Sequence, residues 1–180
     1  MVYHYHPMTP PPVQPFYDAA RNYVKRAVAV ELDDSEESLA YVDHYITTTA
    51  KAEALKPEVL ALVAPALGAY LGQVAIKRFG GKWIADGDDP ADWRVELDPA
   101  PLWFYPVGMA AEALRGEEVD GYDASFATRE NLMGPLFEAL EGAPPVDEAY
   151  YYSLTGRFET LTHALDILVE IERRAREKSN

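Results

Sequence analysis

The stretch from Pro57 to Gly81 reads PEVLALVAPALGAYLGQVAIKRFGG, and the fold turns on how it is understood. No residue from Val59 to Ile76 is charged, and Gly68 and Gly72 make a G-x-x-x-G spacing. Such a run stands at the lower limit of a membrane span. Its many alanines, together with Pro65 and Gln73, make transfer into lipid only weakly favourable. It predicts instead a helix buried on most sides, the most buried of the fold, whose small residues let neighbours approach closely. Pro57 suits the first helical position and Gly80-Gly81 a left-handed stop.

Past the glycine pair the period changes from helical to alternating. Lys82 to Asp86 reads as a short strand, and Gly87-Asp88-Asp89-Pro90 as a turn. Trp93, Val95 and Leu97 alternate with Arg94, Glu96 and Asp98, which predicts a strand with one wet and one buried face. A turn at Asp98-Pro99-Ala100-Pro101 leads to an apolar third strand, Leu102 to Tyr105. A three-stranded antiparallel meander over residues 82–105 follows, with the three tryptophans anchoring it to the helices. Pro106 opens a short helix ending at Gly116, and residues 117–121 form an acidic loop. A further helix is expected over about 126–140. The last runs from about Val146 to Glu177, with Leu154, Phe158, Leu161, Leu165 and Leu168 along its core stripe.

Upstream of the apolar run, residues 1–15 hold five prolines and two histidines and read as an extended arm. Phe16, Ala20, Tyr23, Ala27 and Val30 recur at helical spacing and predict a first helix. An acidic stretch, residues 31–37, breaks it and starts a second helix, with Leu39, Val42, Ile46 and Thr49 facing inward. The expectation is therefore a single α+β domain over 16–180. Five or six helices surround the meander, and the C-terminal helix is long.

Composition narrows the function. The 180-residue chain is 48% hydrophobic and 26% charged, enough for one substantial core. The absence of cysteine excludes disulfides, thiolate nucleophiles and Cys-ligated metal centres. A formal charge of −14 repels phosphates and argues against nucleic-acid binding, while favouring a basic protein partner. The Met1–Pro7 stretch lacks the basic and apolar regions of a secretory leader, so a cytoplasmic chain without a membrane span is expected.

Few residues point to chemistry. No serine stands in a G-x-S-x-G or S-x-x-K setting, and no glycine pattern matches a phosphate or dinucleotide loop. No catalytic residue and no cofactor are predicted. His4 and His6 form an H-x-H pair suited only to weak metal contact. On the last helix Glu159, His163, Asp166 and Glu170 share one face, and with Asp43 or His44 they form a candidate metal set of carboxylates and imidazole. Tyr150-Tyr151-Tyr152 make the opposite case. Successive helical positions lie about 100° apart, so three tyrosines cannot all face one core. At least one should be exposed, and tyrosine is enriched where proteins meet.

Gly68-Ala69-Tyr70-Leu71-Gly72-Gln73 followed by Gly80-Gly81-Lys82-Trp83 resembles a group of bacterial proteins without an agreed activity. In these a G-A-Y-x-G-E helix runs into G-G-x-W and a short meander. The likeness covers about residues 30–116, with Gln73 where a glutamate often stands, and implies an α+β module. Some members look like immunity or adaptor proteins. The leading expectation is a non-enzymatic interaction protein that binds a basic partner through an acidic, Tyr150–Tyr152 surface. The alternatives are a metal protein or enzyme built on the last helix, and a self-assembling subunit.

Overall fold

The computed structural model describes residues 9–180; His4 and His6 lie outside them. The described residues form an α+β fold, with seven helices, a four-stranded antiparallel sheet and a long C-terminal helix. The apolar stretch is helix α3, Pro57–Phe79, and fifteen of its residues are buried. By length and composition it can cross a membrane, but 83% of its apolar window lies inside the fold, where it is the central core element. It packs chiefly against α1, Gln14–Val28, and α4, Pro106–Arg115.

The two glycines of α3 face different neighbours. A Cβ on Gly68 would stand 2.6 Å from Val107 Cα, so α3 and α4 meet backbone to backbone. A Cβ on Gly72 would fall 2.3 Å from the ring of Trp83, which lies across the helix from the first strand. Small residues thus set both the helix–helix and the helix–sheet distance.

The strands run in order β1, Gly81–Ile84, β2, Arg94–Leu97, β3, Leu102–Phe104, and β4, Phe126–Thr128, all antiparallel. The register opposes Val95 to Phe104 and Phe104 to Phe126, placing these side chains on the helix-facing side. Trp93 is 2% exposed and meets Phe16 edge-on at 5.5 Å, so it and Trp83 anchor the sheet as expected. Trp103 does not. It alternates outward between buried Leu102 and Phe104, opposite Glu96, with the Arg94 guanidinium 5.9 Å over its ring.

Four further details depart from the sequence reading. The fourth strand replaces the first turn of the helix expected from residue 126; that helix, α5, spans Glu130–Glu141. The stretch 126–128 pairs with β3 because Phe126 then stacks on Phe137 at 5.7 Å. The C-terminal helix is broken into α6, Glu148–Tyr152, and α7, Leu154–Lys178. Ser153 is extended there, and its Oγ accepts from Gly156 N at 3.0 Å, which starts a new helix. In α1 the buried stripe is Tyr17, Ala20 and Val24 rather than the set ending at Val30, because the helix starts at Gln14 and unwinds at Ala29. Val13, within the expected arm, is fully buried.

Helix α2 begins as Leu39–Tyr45, widens through a π-helical turn at Ile46–Ala50 and ends with Lys51–Glu53. A polar knot ties the preceding loop to the core. Asp34, at φ 62°, accepts from Tyr17 Oη at 2.7 Å, and its backbone N–H donates to Tyr70 Oη at 2.9 Å. Ser38 Oγ lies 2.6 Å from the same hydroxyl. A fully buried phenol is thereby satisfied, which removes a desolvation penalty of about 1–3 kcal/mol.

Burial pushes the Tyr45 and Tyr70 phenols up to about 12, and Tyr17 is raised as well by burial and the Asp34 carboxylate. The unfolded chain releases such protons near pH ~10, the folded chain only later. Their contribution is therefore complete below about pH 10 and is lost as pH rises toward the folded values. Urea midpoints are expected to stay level through mildly alkaline pH and fall above about pH 10. A midpoint rising in that window would contradict the burial of these phenols.

Candidate functional site

The polar and aromatic residues of interest gather where α5, the 142–147 loop and α6 lie against α7. Helix α5 is held loosely, with Leu136 its one fully enclosed side chain, and the loop that follows is exposed throughout. Asp147 ends that loop by accepting from Tyr150 N at 2.8 Å, which starts α6 and fixes the tyrosine run. Asp43 of α2 then receives Leu154 N at 2.8 Å and Thr155 N at 3.0 Å, holding the free amides at the start of α7. Burial raises the Asp43 carboxyl, and hydrogen bonds from Thr155 and Leu154 counter part of that rise. Asp43 is thus a structural cap.

Tyr150, Tyr151 and Tyr152 point three ways, as their spacing requires. Tyr150 Oη donates to the carboxylate of Glu159, and that bond pushes the phenol up to about 12. Tyr151 is 49% exposed and meets the Tyr152 ring edge-on at 4.9 Å. Beneath them lies Arg157, its guanidinium 4.5 Å from the Tyr151 ring centre and 5.6 Å from that of Tyr152. Arg157 also forms an ion pair with Glu112 of α4. Burial raises the Glu112 carboxyl, while the Arg157 charge pulls it down.

An open groove of about 1030 Å³ runs between the 142–147 loop and α7. Phe137, Val146 and Tyr151 are apolar or aromatic lining residues that remain exposed, at 40%, 56% and 49%. Its charged lining includes Glu141, Glu148 and Glu159, and no Lys or Arg. On the far side of Phe137 and Tyr151 a second open hollow, about 520 Å³, is bordered by the acidic loop after α4. Arg157 and Glu112 line it, together with Glu118 and Asp123.

The metal set fares differently. Glu159 and His163 both line the large groove, but Glu159 already holds the Tyr150 hydroxyl. Asp166 is exposed further along α7, and His44 is exposed on α2. Among the described residues no three His, Asp or Glu side chains gather to hold a metal ion. Glu159 and His163 stand one turn apart on α7, but among the described residues no third carboxylate or imidazole gathers with them to complete a ligand set.

The residues that shape this region beyond the tyrosines are Arg157, Glu112 and Phe137. Arg157 and Glu112 lie 45 positions apart, and nothing local in either segment announces the pair. Comparison with family models, curated proteins and solved structures gave no match. The chemistry of the groove therefore carries the functional reading.

Proposed function

We propose that this is a non-enzymatic interaction protein, of the inhibitor or adaptor kind, which holds a basic protein partner in the acidic, tyrosine-lined groove. The observation that carries the reading is the joint exposure of Phe137, Val146 and Tyr151 in a groove with three glutamates and no lysine or arginine. Exposed aromatic and apolar side chains rimmed by charge mark surfaces where proteins meet. The chain's net charge of −14 favours a basic partner and speeds the encounter at low salt. Tyr150, pinned by Glu159, gives one wall a fixed shape, so less side-chain freedom is lost on binding.

The test is capture of the partner by the tagged full chain and by a Phe137→Ala/Tyr151→Ala variant whose folding is checked by circular dichroism. Both side chains are substantially exposed, so the variant should fold. A stoichiometric basic protein held by the wild type, released at high salt and lost in the variant, supports the reading. Equal capture by both forms overturns it. So does a homodimer in light scattering that the variant abolishes, since the groove would then be covered by a second copy.

A further inference from the structure

We infer that the large groove takes a proline-rich segment of the partner in the polyproline II conformation, with an arginine or lysine beside the prolines; this rests on the reading just given. A folded protein receives a peptide in three common ways: as an added strand, as a helix or as a polyproline II segment. The lining of the groove separates them. It comes from α5, the 142–147 loop, α6 and α7, and among the described residues no strand borders it. An added strand therefore finds no edge to pair with.

The tyrosine hydroxyls separate the other two. Tyr150 Oη is spent on Glu159, but those of Tyr151 and Tyr152, which also line the groove, make no hydrogen bond among the described residues. A ligand that covers these donors must supply acceptors. The backbone carbonyls of an α-helix are already paired within the helix. Polyproline II has no internal hydrogen bonds and leaves its carbonyls free to accept. Proline also lacks an N–H, so it can lie on a tyrosine ring without burying an unpaired donor. Such a segment is extended before it binds, and little conformational freedom is lost.

Relief and charge agree with this occupant. The Tyr151 and Tyr152 rings stand 83° apart, with the Arg157 guanidinium beneath both, so they form a held step rather than a flat floor. A threefold helix of prolines can seat its ridges against such a step. Glu141, Glu148 and Glu159 line the groove without a lysine or arginine, so a cation flanking the prolines finds its counter-charge there. The chain's own Pro10-Pro11-Pro12 has no lysine or arginine within eight residues on either side, so a second copy does not answer that charge.

The experiment titrates the isotopically labelled full chain with acetylated, amidated peptides, following backbone amides by NMR. The probes are an oligoproline with one arginine at its end, a glycine–serine peptide of equal length with the same arginine, and an alanine-based helical peptide of the same charge. The oligoproline is expected to shift amides in 137–163 and to bind roughly tenfold or more tightly than either of the others. Tyr151→Phe/Tyr152→Phe keeps both rings and removes both hydroxyls, and should weaken that binding about three- to tenfold. Equal or tighter binding of either comparison peptide, shifts spread over the acidic surface, or an unaffected variant would overturn the assignment. Failure here, with capture still dependent on Phe137 and Tyr151, removes the polyproline segment alone. Loss of that dependence removes the groove reading whatever the peptides do.

Discussion

Glu112→Ala is expected to destabilise the protein by about 3–5 kcal/mol, because it leaves the Arg157 guanidinium buried without its counter-charge. Both side chains of the pair are 9% exposed, so water does not replace the lost carboxylate. Alanine is the best helix former, and Glu112 stands inside α4, so the backbone itself resists nothing. The cost is electrostatic. At roughly 2–4 °C per kcal/mol for a chain of this size, the melting temperature should fall by about 6–20 °C. Replacing both partners by methionine should recover most of it, since neither charge is then desolvated. A double-mutant cycle separates the coupling from the packing of the two stems. If Glu112→Ala proves no worse than the double variant, Arg157 has found Glu118 or Asp123 instead. The acidic loop would then serve as a reserve counter-charge.

The pair also explains why parts of the molecule were legible in the sequence and others were not. The core helix announced itself because eighteen uncharged positions admit few solutions in water other than burial. The meander followed from the alternation at Trp93, Val95 and Leu97. Both signals are local, since periodicity reports the environment of consecutive residues. β4 escaped because Phe126-Ala127-Thr128 is only three residues long and passes into α5 with a single residue between them. Its strand character comes from its partner, β3. The break at Ser153 was marked by nothing stronger than two residues that favour helix starts, Asp147 and Ser153, inside a run without glycine or proline until Gly156.

The site divides along the same line. Exposure of one tyrosine among Tyr150, Tyr151 and Tyr152 followed from the helical repeat, and Tyr151 is that residue. The charged groups around it come from α4, its following loop and α7, three segments with no common local pattern. The shared face of Glu159, His163 and Asp166 was a correct statement about a helix. It failed to become a site because Tyr150 claims Glu159 and Asp43 is committed to the start of α7.

Gly108→Ala tests how tightly the acidic loop is seated. In an open helix the change gains up to about 1 kcal/mol. Here a Cβ would stand 1.7 Å from Asp123 O and 2.3 Å from Asp123 C. The obstacle is backbone, and it cannot rotate away as a side chain would. Two residues on, Ser125 O accepts from Tyr105 N at 3.3 Å, and Phe126 enters the sheet opposite Phe104. The loop is therefore tethered close to the clash. Overpacking of this kind lies at the upper end of its range, about 3 kcal/mol, or a fall of about 6–12 °C in melting temperature. Gly142→Ala is the control with the opposite sign. Gly142 has φ −74°, and its Cβ would meet only Ala139 O at 3.5 Å, so a gain of about 0.4–1 kcal/mol is expected. Equal stability of the two variants would mean that the loop yields freely.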